Sequence, residues 1–218
     1  MTKISEQREQ IAQFAFIRFR ETGFSRIPVD EIAKGMKISK KTIYKHFTSK
    51  EELVEAAFRS FMRESAAFVA EVAGTDDVSV LKLVKILNRM LTQTTLISND
   101  FINDLQQTMP ALWEEFDNFR SSMMRDTISK IYAQGIEEGL VKKFPLPIVV
   151  AVFVGGIREV IKSEFLAVNG FSFNQAVAGF YRFMLTSIMT DKGNEEFSNL
   201  IYGDRGNCPH CHLVRGLL

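Results

Sequence analysis

The residues best equipped for chemistry lie in one continuous segment, Met36 to Leu53. Ser39, Lys40, Lys41, Thr42, Tyr44, Lys45, His46 and Lys50 bring hydroxyls, ammonium groups, a phenol and an imidazole together. That array suits phosphate oxygens and base edges better than bond-making or bond-breaking. Ile43 and Phe47, four positions apart, fall on the opposite side of a helix and read as its anchors. Just upstream, Val29-Asp30-Glu31-Ile32-Ala33-Lys34 forms a short amphipathic helix, so two helices meet across about three residues, the spacing of a helix-turn-helix. Ser49 followed by Glu51 and Glu52 is a capped start for the next helix. The expected partner is the major groove of a double-stranded DNA operator.

These residues resemble the TetR family of bacterial transcriptional repressors. The resemblance runs through Ile32 and Ala33, then Ser39, Thr42, Ile43 and Tyr44, then His46 and Phe47, and finally Ser49, Lys50 and Glu51. It is dense from residue 11 to residue 53 and weak beyond. The resemblance implies that Thr42, Tyr44 and Lys50 position the protein on the DNA backbone, while residues 39 to 41 and 45 vary with the operator. It also implies a larger helical domain for effector binding, and a homodimer joined by the last pair of strong helices. Two positions depart from the family pattern. Pro28 stands where a threonine would cap the second helix and touch a phosphate, although proline suits a first helical turn. Lys37 stands where the turn usually carries glycine, which costs energy if its φ is positive.

Catalysis finds little support. His46 is the only histidine outside the last nine residues, and no glycine-rich phosphate loop or spaced nucleophile and base is present. Enzyme activity and cofactors are therefore not expected. The tail Cys208-Pro209-His210-Cys211-His212 has soft metal ligands, yet they are packed too closely to surround one ion and have no second cluster to join. A metal or redox sensor acting through that tail stays open as a lesser reading, and no metal site is assigned.

At 218 residues and 46% apolar, the chain can bury a sizeable core. Its net charge of +1 conceals an asymmetry: residues 1 to 50 hold 11 Lys and Arg against 5 Asp and Glu, so the basic end is the end with the motif. The polar N-terminus and the short apolar runs predict a cytoplasmic protein with no membrane partner.

Apolar periodicity predicts an all-α chain of about nine helices: an N-terminal three-helix domain carrying the helix-turn-helix, and a larger helical ligand-binding and dimerisation domain. The predicted divisions are 1–50, 51–190 and a flexible tail over 191–218. Single helices are expected from 110 to 138 and from 148 to 169. Nineteen phenylalanines and nine methionines suggest an adaptable apolar pocket. Phe101, Trp113, Phe116, Met123, Phe153 and Phe183 are its candidate lining, and Thr94, Asn103, Gln106 and Gln107 its polar candidates. The run Val149 to Val154 followed by Gly155-Gly156 makes a helix apolar on more than one side, which needs a partner beyond its own core. The expected function is a ligand-responsive regulator, a repressor released from a palindromic operator by a small, mainly apolar effector. The rival is a helical carrier of apolar ligands with a vestigial DNA-binding end, for which Pro28 and Lys37 are the sequence support.

Overall fold

A computed structural model describes residues 3–202. Its helices are α1 (Lys3–Thr22), α2 (Val29–Gly35), α3 (Lys40–Tyr44), α4 (Lys50–Ala73), α5 (Ser79–Thr94) and α6 (Asn99–Thr108). There follow α7 (Pro110–Met123), a π-helical turn (Met124–Ile128), α8 (Ser129–Glu137), α9 (Leu146–Val160), α10 (Ser163–Asn169), α11 (Phe173–Ile188) and α12 (Asp191–Tyr202). Among the described residues the only extended pairing is an antiparallel bridge, Val141 with Met189. No described helix is long and apolar enough to cross a membrane.

Side chains act as the stops and starts. Ser39, Ser98 and Ser172 each accept a backbone N–H at the start of α3, α6 and α11, and Ser172 with Gln175 completes a reciprocal capping box. At the end of α2 the Ile38 N–H bonds to the Ala33 carbonyl and the Lys37 N–H to the Lys34 carbonyl. That pair of bonds is a Schellman turn, which needs a left-handed residue at Lys37, and Lys37 has φ 55°. The turn therefore keeps its form without the usual glycine, at a strain cost carried by the lysine.

The chain divides into two compact units, and the division differs from the expected one. The first unit runs to Ala66 and adds Leu96–Phe116; the second holds Ala67–Thr95 and the chain from Asp117 onward. The boundary falls within α4, but α6 and the first half of α7 join the helix-turn-helix. Aromatic packing is the reason. Phe101 of α6 is 1% exposed and meets Phe16, Phe24 and Phe58 edge-on, with ring centroids 6.0 to 6.1 Å apart. Phe16 stacks on Phe61 at 4.7 Å, while Phe116 lies 5.1 Å from Phe58 and 5.7 Å from Trp113. Polar contacts close the same seam: the Ser98 N–H donates to the Arg20 carbonyl at 2.8 Å, and the Ser25 N–H to Asp104 at 2.8 Å.

In the second unit, α5 buries Val80, Leu83, Val84, Leu87 and Leu91, the stripe that its sequence predicts. Lys82 is also buried there, its ammonium donating to the Ala73 carbonyl and to the Gln134 side chain. The helix expected over 110–138 is interrupted by the π turn. The helix expected over 148–169 breaks at Lys162, which adopts ψ 137°. Ile161 and Leu166 are both buried, yet residues five apart on a straight helix point about 140° from each other, so the break lets both face inward.

The expected tail is also corrected in part. Residues 191–202 form α12, which packs on α5 and buries Phe197 and Ile201 at helical spacing. A Cβ on Gly193 would lie 2.0 Å from the Leu140 carbonyl oxygen, so only glycine permits this approach. The Cys208–His212 segment lies outside the described residues.

Phe101→Ala should lower unfolding stability by about 3–5 kcal/mol, the usual result of emptying a large aromatic site. Urea melts followed by circular dichroism would measure it.

Candidate functional site

A five-residue helix has little intrinsic stability, so α3 depends on what holds it. Ile43 and Phe47 are buried behind it. Arg8 of α1 fastens its far end: the guanidinium lies 4.6 Å over the Phe47 ring, donates to the His46 carbonyl at 3.3 Å and pairs with Glu52 at 3.0 Å. The His46 imidazole lies 3.0 Å from the Gln7 amide oxygen. Ser39 Oγ accepts the Thr42 N–H at 3.0 Å and meets the Thr42 hydroxyl at 2.8 Å.

The candidate DNA-binding residues thus fall into two sets. Tyr44 (43% exposed), Lys41 and Lys45 point to solvent, and neither lysine makes an ion pair with a described residue. Others have internal partners. Lys40 pairs with Asp30 at 2.7 Å, and that hydrogen bond holds its ammonium above the ordinary lysine value. Lys50 reaches the Ser25 carbonyl at 3.4 Å, and Arg26 pairs with Asp100 at 2.6 Å. Lys34 and Lys37, exposed beside the turn, extend the basic surface; the sequence reading treated Lys37 only as a replaced glycine. Pro28 occupies the position before α2, with no side-chain cap, while Asp30 and Glu31 in the first turn complement the helix dipole.

Glu52 joins this assembly to the start of α4. Its carboxylate accepts the Thr48 N–H at 2.6 Å and the Thr48 hydroxyl at 2.8 Å, and these bonds with Arg8 hold it below the usual carboxylate range. A depressed folded pKa stabilises the protein above the unfolded glutamate value and loses that contribution as pH falls through the folded value. Glu52→Gln should therefore flatten the loss of stability on acidification, read as urea midpoints from about pH 7 down to about pH 3.

The second unit encloses a cavity of about 80 Å³ between α5, α7, the π turn, α8, α9 and α11. Its walls include Leu83, Leu87, Met90, Met123, Met124, Ile128, Val154, Ile157 and Leu185, with the aromatic residues Tyr132, Phe153 and Tyr181. A π turn in such a wall is in keeping with the frequent placing of these turns at functional sites. Of the candidate pocket residues, Met123 and Phe153 line the cavity. Phe101, Trp113 and Phe116 do not: they belong to the aromatic packing of the first unit. Phe183 is 67% exposed on α11. Thr94 is engaged elsewhere in the second unit, donating to Asn174 at 2.9 Å, and Asn103, Gln106 and Gln107 sit on α6.

Arg120 and Tyr181 are among the wall residues absent from the sequence-based candidates. Arg120 pairs with Asp117, which Arg158 also contacts. Desolvation holds the Arg120 guanidinium below its ordinary value, and burial pushes the Tyr181 hydroxyl up to about 12 while Arg120 pulls it the other way. The available signal was the spacing of Asp117, Arg120 and Met123 along one side of α7.

Residues 15–57 match the family model of bacterial regulatory proteins of the tetR family. The chain is 20% identical over 185 residues to the uncharacterized HTH-type transcriptional regulator YvaF of Bacillus subtilis, covering 84% of this chain and 96% of that protein. Its fold is similar to a TetR-family transcriptional regulator from Agrobacterium tumefaciens, with a TM-score of 0.63 and 16% identity over 86% of this chain and all of that one. It is also similar to the transcriptional regulator FadR of Bacillus subtilis, solved in complex with stearoyl-CoA, with a TM-score of 0.56 and 17% identity over 82% of this chain and 98% of that one. In its helix-turn-helix over residues 15–57 and its all-helical architecture, the chain is similar to bacterial transcriptional regulators of the TetR family.

Proposed function

We propose that the protein is a cytoplasmic repressor, which binds a palindromic operator as a homodimer and leaves it when a mainly apolar small molecule occupies the cavity. The observation that carries this reading is the presentation of Tyr44, Lys41 and Lys45 outward from α3, while Ile43, Phe47 and Arg8 hold the helix from behind. Arg or Lys on a major-groove helix reads base edges and neutralises phosphates. The cavity supports an effector, as does the FadR structure, in which the bound molecule carries a long acyl chain.

The exposed apolar face of the second unit supports the dimer. Ile148, Val152 and Gly155 follow one another along α9, and Gly179 and Phe183 along α11, with nothing described within 4 Å of where a Cβ would stand on either glycine. Large apolar side chains beside glycines allow helices of a second copy to approach closely. Two recognition helices about 34–36 Å apart, or somewhat more, would then meet successive major grooves.

Helix α7 supplies the route between effector and DNA. Arg120 and Met123 line the cavity, while Phe116, on the same helix, packs on Phe58 of α4. A ligand that shifts α7 alters the balance between two states of the dimer, and it releases DNA if it prefers the state that fits poorly.

Tyr44→Ala and Lys50→Ala should weaken binding to all DNA, whereas Lys41→Ala and Lys45→Ala should also change sequence preference. Each lost phosphate contact lowers the salt slope by about one. Mobility-shift titrations against the region upstream of the gene read both effects, and unchanged operator affinity in all four variants would refute the interface. Ligand binding without any operator binding would favour the carrier reading.

Phe183→Glu should convert the dimer to monomer and abolish operator binding at the same concentrations. Light scattering at micromolar protein tests this, and a stable wild-type monomer would sink the dimer.

A further inference from the structure

We propose that Lys37 is a further DNA contact, a phosphate ligand carried by the turn between α2 and α3, although the fold itself would be more stable with glycine there. This rests on α3 being the helix that enters the groove, and it goes further by assigning a contact outside that helix.

The backbone carries the argument. The Ile38 N–H bonds to the Ala33 carbonyl and the Lys37 N–H to the Lys34 carbonyl, so the end of α2 needs a left-handed residue at position 37. Lys37 supplies it with φ 55°, and it is the one non-glycine residue of positive φ among the described residues. Gly23, Gly139 and Gly170 take positive φ elsewhere in the chain. Glycine does so freely, whereas the Cβ of a lysine crowds the neighbouring carbonyl oxygen.

No contact inside the fold accounts for the lysine. Its side chain is exposed and makes no hydrogen bond or ion pair with a described residue. Lys40, three positions on, is by contrast held by Asp30 at 2.7 Å. Lys34 is exposed too, but it sits within α2 in ordinary helical backbone, so its presence costs nothing. A strained residue whose side chain does nothing for the fold points to a function outside it.

Its place in the motif names that function. Lys37 precedes Ser39, the N-cap of α3, by two residues, and Ile32 and Ala33 are buried behind the turn. When a helix-turn-helix docks, its first helix crosses the DNA backbone and the start of its second helix reaches the base edges. The turn between them therefore passes the phosphates at the edge of the groove. An ammonium on a flexible stem suits a phosphate, a contact that adds affinity without reading sequence.

Lys37→Gly and Lys37→Gln, made in the full-length protein, separate the backbone from the charge. Lys37→Gly should raise the urea midpoint by relieving the left-handed residue, while both variants should bind DNA more weakly than wild type. Affinity for the region upstream of the gene and for unrelated DNA should fall by the same factor, about fivefold per subunit near 0.15 M salt. The slope of log affinity against log salt should shrink by about one per subunit. Mobility-shift titrations over a range of salt concentrations read both. An unchanged slope in Lys37→Gln, with wild-type protein binding the upstream region, would overturn the contact and leave α3 as the groove helix intact. Weaker binding by Lys37→Gly alone would also overturn it, by tracing the effect to the stiffness of the turn. A Lys37→Gly protein no more stable than wild type would remove the strain on which the inference stands. Failure of the wild-type protein to bind either DNA would overturn both readings.

Discussion

The pose of the short helix α3 hangs on the burial of two side chains, Ile43 and Phe47. A helix as short as α3 cannot offset the entropy of its own formation, so its pose is imposed by the packing behind it. Arg8 adds a second restraint by covering the Phe47 ring while donating to the His46 carbonyl. The same guanidinium reaches Glu52, whose carboxylate organises the Thr48 backbone ahead of α4. One arginine thus links the back of α1, the end of α3 and the beginning of α4. A residue that looks from its charge like a phosphate ligand is instead engaged inside the fold, where it helps to set the pose of α3.

The aromatic residues are divided between two tasks. Phe16, Phe24, Phe58, Phe101 and Phe116 pack edge to face in the first unit, where the ring quadrupoles add to simple area burial. Around the cavity of the second unit, methionines and aliphatic residues outnumber the rings. Rigid rings suit a core of fixed shape, and flexible thioethers suit an adaptable one. Helix α7 takes part in both, with Phe116 in one and Met123 in the other.

A cavity wall that is almost wholly apolar concentrates the effect of its few polar groups. Water screens Arg158 at the surface, whereas Arg120 is desolvated at the cavity wall, where charges interact more strongly than on the exterior.

The helix-turn-helix was legible in the sequence because it is local: Ser39, Ile43, Phe47 and Ser49 act within a few residues of each other, through caps and anchors that depend on spacing alone. The all-helical class and the capped helix starts were legible for the same reason. The segment from Asp191 to Tyr202 carried a helical stripe in Phe197 and Ile201, but only a close approach at Gly193, set by the distant Leu140 carbonyl, docks it as α12. The lining of the cavity was decided by tertiary structure alone. Phe101, Trp113, Phe116 and Phe183 have the same chemistry as Phe153, and no periodicity within one helix can say which of its neighbours closes a core, which faces outward and which borders a space between five helices. Arg120 makes the same point from the polar side: its spacing from Asp117 marks an ordinary helical ion pair, and only the packing of α9 and α11 against α7 makes it a desolvated charge at a cavity wall.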